Sequence, residues 1–108
     1  MTAKPVVLRE KAVLDADTAI AHYLREAGEK VAAAFIDALE RAYRHIAARP
    51  EIGSLRYGHE LDLPGLRHWP LRRFPYLVFY VETKDHVDVW RVLHSARDIP
   101  EWLHEEGS

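Results

Sequence analysis

The sequence of 108 residues contains no cysteine. This absence excludes disulfide bonds, zinc sites with thiolate ligands, iron–sulfur clusters and a cysteine nucleophile. It also fits a reducing compartment, and we expect the protein to be cytoplasmic. No apolar run approaches the roughly 18 residues that a membrane span needs, and the first residues lack the apolar stretch of a signal peptide. The sequence therefore predicts no membrane association.

Neither sign of charge predominates, since 15 Lys and Arg are balanced by 17 Asp and Glu. The net charge of −2 gives no electrostatic reason to expect direct, sequence-specific binding of nucleic acid. The charges are nevertheless uneven. Segment 56–76 contains four Arg and two acidic residues, whereas segment 98–108 contains four acidic residues and neither Lys nor Arg. With 48% apolar and 30% charged residues, the whole chain, 1–108, is predicted to form one globular domain.

The first half of the chain has helical periodicity. A short apolar run at 5–9 predicts an edge strand, and apolar residues at helical spacing predict a helix over 11–27 that stops at Gly28. A second helix is predicted over 29–48. These two helices, joined by one turn, should form an antiparallel hairpin. The segment that follows, 49–65, is rich in Pro and Gly and is predicted to be a long loop.

The second half of the chain has strand periodicity. A weak strand is predicted over 66–71, and strong strands over 76–82 and 86–94. Both faces of the 76–82 strand are apolar, so it should be a central strand. The hairpin would cover one face, and the C-terminal segment with Trp102, or a partner molecule, the other. A single helical turn is expected after Asp98. The fold class is therefore α+β, in the order β-α-α-β-β-β: a helical hairpin on a small, mainly antiparallel sheet, with a short C-terminal helix.

Motifs for nucleotide binding and for a hydrolase nucleophile are absent: there is no Gly-rich turn between a strand and a helix, and no G-x-S-x-G. The seven His do not have metal-ligand spacing. His45, for example, lies on a predicted helix without an i,i+4 His or carboxylate. We expect neither a metal nor a cofactor.

Arginines and aromatic residues are concentrated in the predicted sheet. Together they can anchor a protein interface or hold phosphates and stacked bases. The alternative is that the aromatics are strand core and the arginines lie at the strand edges, and the sequence leaves both open. As candidates for contact with a partner we take Arg67, Trp69, Arg73, Tyr76, Arg91, His94, Arg97 and Trp102.

Four segments carry a family resemblance. Arg91–Pro100, RVLHSARDIP, resembles the C-terminal signature of the ParE branch of the RelE/ParE toxin superfamily, which often reads RVLHGARD. Phe74–Val81 is similar to the penultimate strand of that family, Ala48–Gly53 to its turn after the second helix, and Ala12–Asp15 to the start of its first helix. The resemblance extends over nearly the whole chain.

The resemblance implies the toxin of a type II toxin–antitoxin pair, which restrains growth or maintains a plasmid. A small antitoxin would neutralise it in a hetero-oligomer. ParE-like members inhibit DNA gyrase by protein–protein contact, whereas RelE-like members cleave mRNA on the ribosome. Tyr76 stands where cleaving relatives often have Arg, and no Tyr follows Tyr80, so gyrase inhibition without catalysis is the leading hypothesis. The alternatives are an mRNA endonuclease that uses Arg73, His94 and Arg97, and an inactive relative that only binds antitoxin.

Overall fold

Two long helices and a four-stranded sheet make up the protein. The computed structural model of the chain describes residues 3–96 and Ile99. In chain order the elements are β1 (Val6–Leu8), α1 (Glu10–Ala27), α2 (Glu29–Ala48), a 3-10 turn (Pro50–Ile52), α3 (Arg56–Glu60), β2 (Leu66–Pro70), β3 (Tyr76–Glu82) and β4 (Val87–His94). The predicted α+β class and the hairpin-on-sheet architecture are confirmed. None of the described helices is long and apolar enough to cross a membrane.

The helical hairpin turns at Gly28, as predicted. Gly28 has a φ of 91°, a conformation that residues with a side chain rarely adopt. Its N–H donates to the carbonyl oxygens of Tyr23 and Leu24, and its own carbonyl oxygen accepts from the N–H of Ala32. Each helix buries a stripe rich in alanine, and these small side chains let the helices lie close to each other and to the sheet. The stripes consist of Ala12, Ala16 and Ala19 on α1, and Ala32, Phe35, Ala38, Leu39, Ala42 and Ile46 on α2.

The sheet has the strand order β1-β4-β3-β2, with β1 parallel to β4 and the other pairs antiparallel. The central position predicted for β3 is therefore confirmed. Its side chains alternate between two apolar layers. Val78 and Tyr80 pack against the hairpin, whereas Phe79 belongs to a second cluster with Leu66 and Leu93 on the opposite face.

The prediction of a loop over 49–65 is wrong in part, because this segment contains the 3-10 turn and α3. With five residues, α3 is too short to produce a recognisable helical period in the sequence. It forms where Tyr57 packs on the second face of the sheet, with its ring centroid 5.5 Å from that of Phe79. The same face is also covered by Ile99, which is buried. The predicted C-terminal helix and Trp102 lie outside the described residues.

Tyr80 fastens the segment before α3 to the sheet. Its buried hydroxyl accepts from the N–H of Gly53 at 2.9 Å and donates to the carbonyl oxygen of Pro50 at 2.7 Å. Burial raises the pKa of Tyr80, which keeps the hydroxyl protonated and able to donate. A Cβ atom at position 53 would lie only 2.5 Å from the Tyr80 hydroxyl oxygen, so Gly53 permits this contact.

Candidate functional site

Four of the candidate residues lie at one end of the sheet. β2 ends at this edge just after Trp69, β3 begins there with Tyr76, and β4 ends there with His94. Tyr76 and His94 are directly paired across the two central strands. Arg73 lies in the connection between β2 and β3, at the same end. The alternation of antiparallel strands thus brings together residues that are up to 25 positions apart in the sequence.

An aromatic cluster fills the middle of this end. It consists of Tyr23 on α1, Phe35 on α2, Phe74 in the β2–β3 connection, and Tyr76 on β3. Phe35 is fully buried, and its ring centroid lies 5.1–5.2 Å from those of the other three. Such edge-on and tilted packing is favourable for aromatic rings. The cluster joins the helical hairpin to the sheet.

On one side of the aromatic cluster, a trough separates α2 from the β2–β3 connection. It comprises two adjoining cavities of about 390 and 250 Å³. We call it the α2 trough. It is lined by Ala34, Asp37, Ala38, Arg41, Ala42 and His45 of α2 and by Trp69, Pro70, Leu71, Arg72, Arg73 and Phe74.

On the other side of the cluster, a groove of about 640 Å³ lies between α1 and the ends of β3 and β4. His94 lines it, and the ring of Tyr76 is edge-on to the imidazole at 5.2 Å. The N–H of Ala96 donates to Nδ1 of His94 at 3.0 Å, so in the neutral ring the proton lies on Nε2. We call this the α1 groove, and its lining residues are Thr18, Ala19, Ala21, His22, Arg25, Tyr76 and His94.

Arg73 and His94 therefore line different cavities. The residues around the α2 trough and those around the α1 groove have no member in common. Phe74 and Tyr76 lie between Arg73 and His94 in the sequence. Both rings belong to the aromatic cluster, where they pack on Phe35. Arg97, the third member of the nuclease hypothesis, lies outside the described residues.

The sequence matches one protein-family model, described as the ParE toxin of the type II toxin–antitoxin system parDE, over residues 6–99. The chain belongs to this family. The fold is also similar to that of a chain in a solved structure titled "Chromosomal ParDE TA system from P. aeruginosa", with a TM-score of 0.71 and 18% sequence identity. The match covers 85% of this chain and 96% of the other. No curated protein sequence matches the chain.

One candidate for partner contact in this ParE-family chain, Arg91, is not part of an exposed surface. Its side chain is buried, and its guanidinium makes two hydrogen bonds to the Asp15 carboxylate, at 2.7 and 2.8 Å. Asp15 also accepts from the N–H of Val92 at 3.0 Å. The pair fastens α1 to β4. The structure therefore places Arg91 inside the molecule, where this strand arginine is satisfied by a helix carboxylate, and its contact with a partner stays a prediction.

Arg67 also has a structural role. Its guanidinium donates to the carbonyl oxygens of Glu51 and Gly53, at 3.1 and 2.8 Å, and holds the 3-10 turn against β2. Trp69, Arg73, Tyr76 and His94 remain as candidates with surface at the end of the sheet. Trp102, like Arg97, lies outside the described residues.

Sequence reasoning missed Asp15 and the alanine floor of the α2 trough. Asp15 lies directly before the buried Ala16 on α1. An acidic residue beside the apolar stripe of a helix indicates a partner inside the molecule. The trough has no comparable local signal, since its two walls come from α2 and from a connection more than 20 residues later. Within residues 3–96 and Ile99, no group of three or more His, Asp or Glu side chains could hold a metal ion.

Proposed function

We propose that this ParE-family toxin inhibits DNA gyrase by protein–protein binding and performs no chemistry of its own. A cognate antitoxin would neutralise it by forming a hetero-oligomer. The observation that carries the choice of a binding mechanism is that Arg73 and His94 line separate cavities on opposite sides of the aromatic cluster.

Cleavage of RNA through the 2′-hydroxyl needs a proton acceptor, a proton donor and a cation at one phosphate. These groups must converge within hydrogen-bonding distance of the reacting atoms. Phe74 lines the trough with Arg73, Tyr76 lines the groove with His94, and both rings pack on Phe35. This arrangement supports a surface that binds rather than cleaves. Exposed arginine next to aromatic side chains is typical of the residues that dominate binding energy at protein interfaces.

The direct experiment compares two reactions of the purified toxin. We expect the toxin to inhibit DNA supercoiling by gyrase, and to leave mRNA intact in the presence of translating ribosomes. Cut mRNA with unaffected supercoiling would replace the proposal with the endonuclease hypothesis. If the toxin neither inhibits supercoiling nor cleaves mRNA, and cells that express it grow normally, the protein is the inactive relative.

Substitutions of His94 and Arg97 separate the two activities further. For gyrase binding, we expect Arg97→Ala to weaken the interaction by about 1–2 kcal/mol and His94→Ala by less, because single contacts at an interface contribute unequally. An endonuclease would instead lose about 100-fold or more in cleavage with each substitution, and the double variant would lose little more, because the residues would act as one unit. Supercoiling and cleavage assays on the three folded variants distinguish the patterns.

The antitoxin has an apolar surface available on the toxin. Five large apolar side chains are between 37% and 55% exposed, three of them on α1. Val7 lies on β1, which is a sheet edge. Exposed apolar side chains that are near one another are characteristic of interaction sites. The five are Val7, Val13, Leu14, Leu24 and Ile36.

Antitoxin binding should therefore raise the thermal stability of the toxin. A ligand that binds only the native state stabilises it by about 2.7 kcal/mol when its free concentration is about 100 times Kd. For a domain of this size we expect Tm to rise by about 10–20 °C. Leu24→Glu should reduce the rise, whereas Lys84→Glu, in the turn after β3, should not. Equal Tm values with and without saturating antitoxin would contradict this prediction.

A further inference from the structure

The floor of the α2 trough is made of small side chains. Ala34, Ala38 and Ala42 recur at four-residue intervals along the same face of α2. They leave open space beside Trp69 and Phe74, which stand in the opposite wall. The lined part of α2, residues 34–45, extends about 16 Å at a rise of 1.5 Å per residue, which is about three helical turns. The trough is thus long enough for one face of a short helix.

The rim of the trough is basic. Arg41, Arg72 and Arg73 line it, and among the described lining residues Asp37 alone is acidic. Asp37 is paired with Arg41 at 3.2 Å, on the same helix. Within residues 3–96, neither Arg72 nor Arg73 forms an ion pair. Two adjacent positive charges therefore face solvent beside an apolar cavity, in a chain with a net charge of −2.

The backbone at Arg73 is in an unfavourable conformation. Its φ of 73° lies in the left-handed region, where glycine is at ease and an arginine is strained. Strain of this kind persists where the surrounding structure enforces it, and it is concentrated at functional sites. Here it occurs at the residue that places a second guanidinium on the rim of the trough.

Backbone pairing with a partner strand is not available along this wall. The outer edge of β2 already exchanges two hydrogen bonds with Ser54, through the N–H and the carbonyl of His68. The N–H of Leu71 donates to the carbonyl oxygen of Tyr76. This edge therefore offers no free run of strand N–H and carbonyl groups at His68, which favours an occupant that binds through side chains, as a helix does when its apolar face enters a groove.

We propose that the α2 trough receives an acidic amphipathic helix of a partner protein. Apolar side chains of this helix would enter the space between Trp69 and Phe74, and its carboxylates would pair with Arg72 and Arg73. This surface is separate from the exposed apolar residues of α1. The inference goes beyond the proposed function, because it does not require gyrase to be the target.

A synthetic peptide tests the proposal on the full chain without gyrase or DNA. The peptide has about 16 residues, slightly longer than the trough, with Leu and Trp on one helical face and Glu beside them. The control peptide has Gln in place of Glu. By fluorescence anisotropy at low salt, we expect the Glu peptide to bind at least about tenfold more tightly, and the difference to shrink as salt screens the charges. Equal binding of the two peptides, or no binding, overturns the proposal.

Two substitutions locate the binding site. Arg72→Glu should weaken binding of the Glu peptide by about tenfold or more, whereas Arg44→Glu, on an exposed part of α2 outside the trough, should change it little. Arg73→Gly should weaken binding while Tm stays the same or rises, because glycine relieves the backbone strain. Asp62→Gly is its control, since Asp62 also has a positive φ, of 55°, but does not line the trough. If Arg44→Glu weakens binding of the Glu peptide as much as Arg72→Glu does, the proposal is overturned, because the peptide is then attracted by the overall charge and not by the trough.

Two other occupants of the α2 trough would give different experimental results. If the acidic C-terminal residues of this chain fill the trough, Gln at positions 101, 105 and 106 will tighten peptide binding by about tenfold, since an internal competitor is weakened. If a second copy fills it, the toxin alone will sediment as a dimer and Arg72→Glu will make it a monomer. Either result overturns the assignment to a partner helix. Peptide binding by a toxin that does not inhibit gyrase would overturn the proposed function alone.

Discussion

Asp15→Ala should lower the free energy of unfolding by about 3–5 kcal/mol, because it takes a paired carboxylate away from a buried guanidinium. The Arg91 side chain is only 4% exposed and that of Asp15 13%. The carboxylate also accepts from the N–H of Val92, so the substitution removes three hydrogen bonds at once. For a domain whose total stability is about 5–15 kcal/mol, this loss brings the chain close to unfolding.

Urea unfolding followed by circular dichroism measures this loss. The matched control is Asp37→Ala, which removes a carboxylate from an i,i+4 ion pair whose partners are both more than half exposed. It should cost about 0.5 kcal/mol or less. Asp15→Ala combined with Arg91→Met should recover much of the stability, because replacing a whole buried pair with apolar groups is often neutral. A loss below about 1 kcal/mol for Asp15→Ala would contradict the buried-pair interpretation.

Phe35→Ala should destabilise the protein by a similar amount, about 3–5 kcal/mol. Phe35 is fully buried and contacts three other aromatic rings, Tyr23, Phe74 and Tyr76. The substitution removes a large apolar side chain and leaves a cavity where α1, α2 and the start of β3 meet. It also removes the ring on which Phe74 and Tyr76 pack.

Thermal and urea unfolding of three variants test the role of this ring. Phe35→Leu keeps most of the apolar volume and should cost about 1–2 kcal/mol. Ile36→Ala, next in the sequence but 37% exposed, should cost about 1 kcal/mol or less. If Phe35→Ala were no more destabilising than Ile36→Ala, the aromatic cluster would not be the junction between the hairpin and the sheet.

The α2 trough and the α1 groove share no lining residue, so substitutions can test binding at each cavity separately. The α2 trough depends on Ala38, Trp69 and the adjacent Arg72 and Arg73, whereas the α1 groove depends on Tyr76 and His94. Substitutions on the rim of one cavity should leave binding at the other unchanged, because the aromatic cluster lies between them. A trough variant that loses the peptide but still inhibits gyrase would place the two binding events on different surfaces.

The local pattern of the sequence was sufficient for the main elements. Gly28 was predicted to end α1, and α2 was predicted from Glu29 to Ala48, because a helix stop and a helical apolar stripe are properties of neighbouring residues. The apolar residues on both faces of β3 likewise predict its central position, since both faces have to be covered. The order and spacing of the short motifs were sufficient for the ParE family.

Tertiary structure alone decided which residues meet. Asp15 and Arg91 are 76 positions apart, and nothing in the local pattern of either indicates that they pair. The short α3 exists where Tyr57 packs on the sheet, and the α2 trough exists because alanines of one element face a connection of another. Arg73 and His94 come to the same end of the sheet but to opposite sides of Phe35. Periodicity determines which face of an element is buried, whereas contacts between distant segments depend on how those faces are packed against each other.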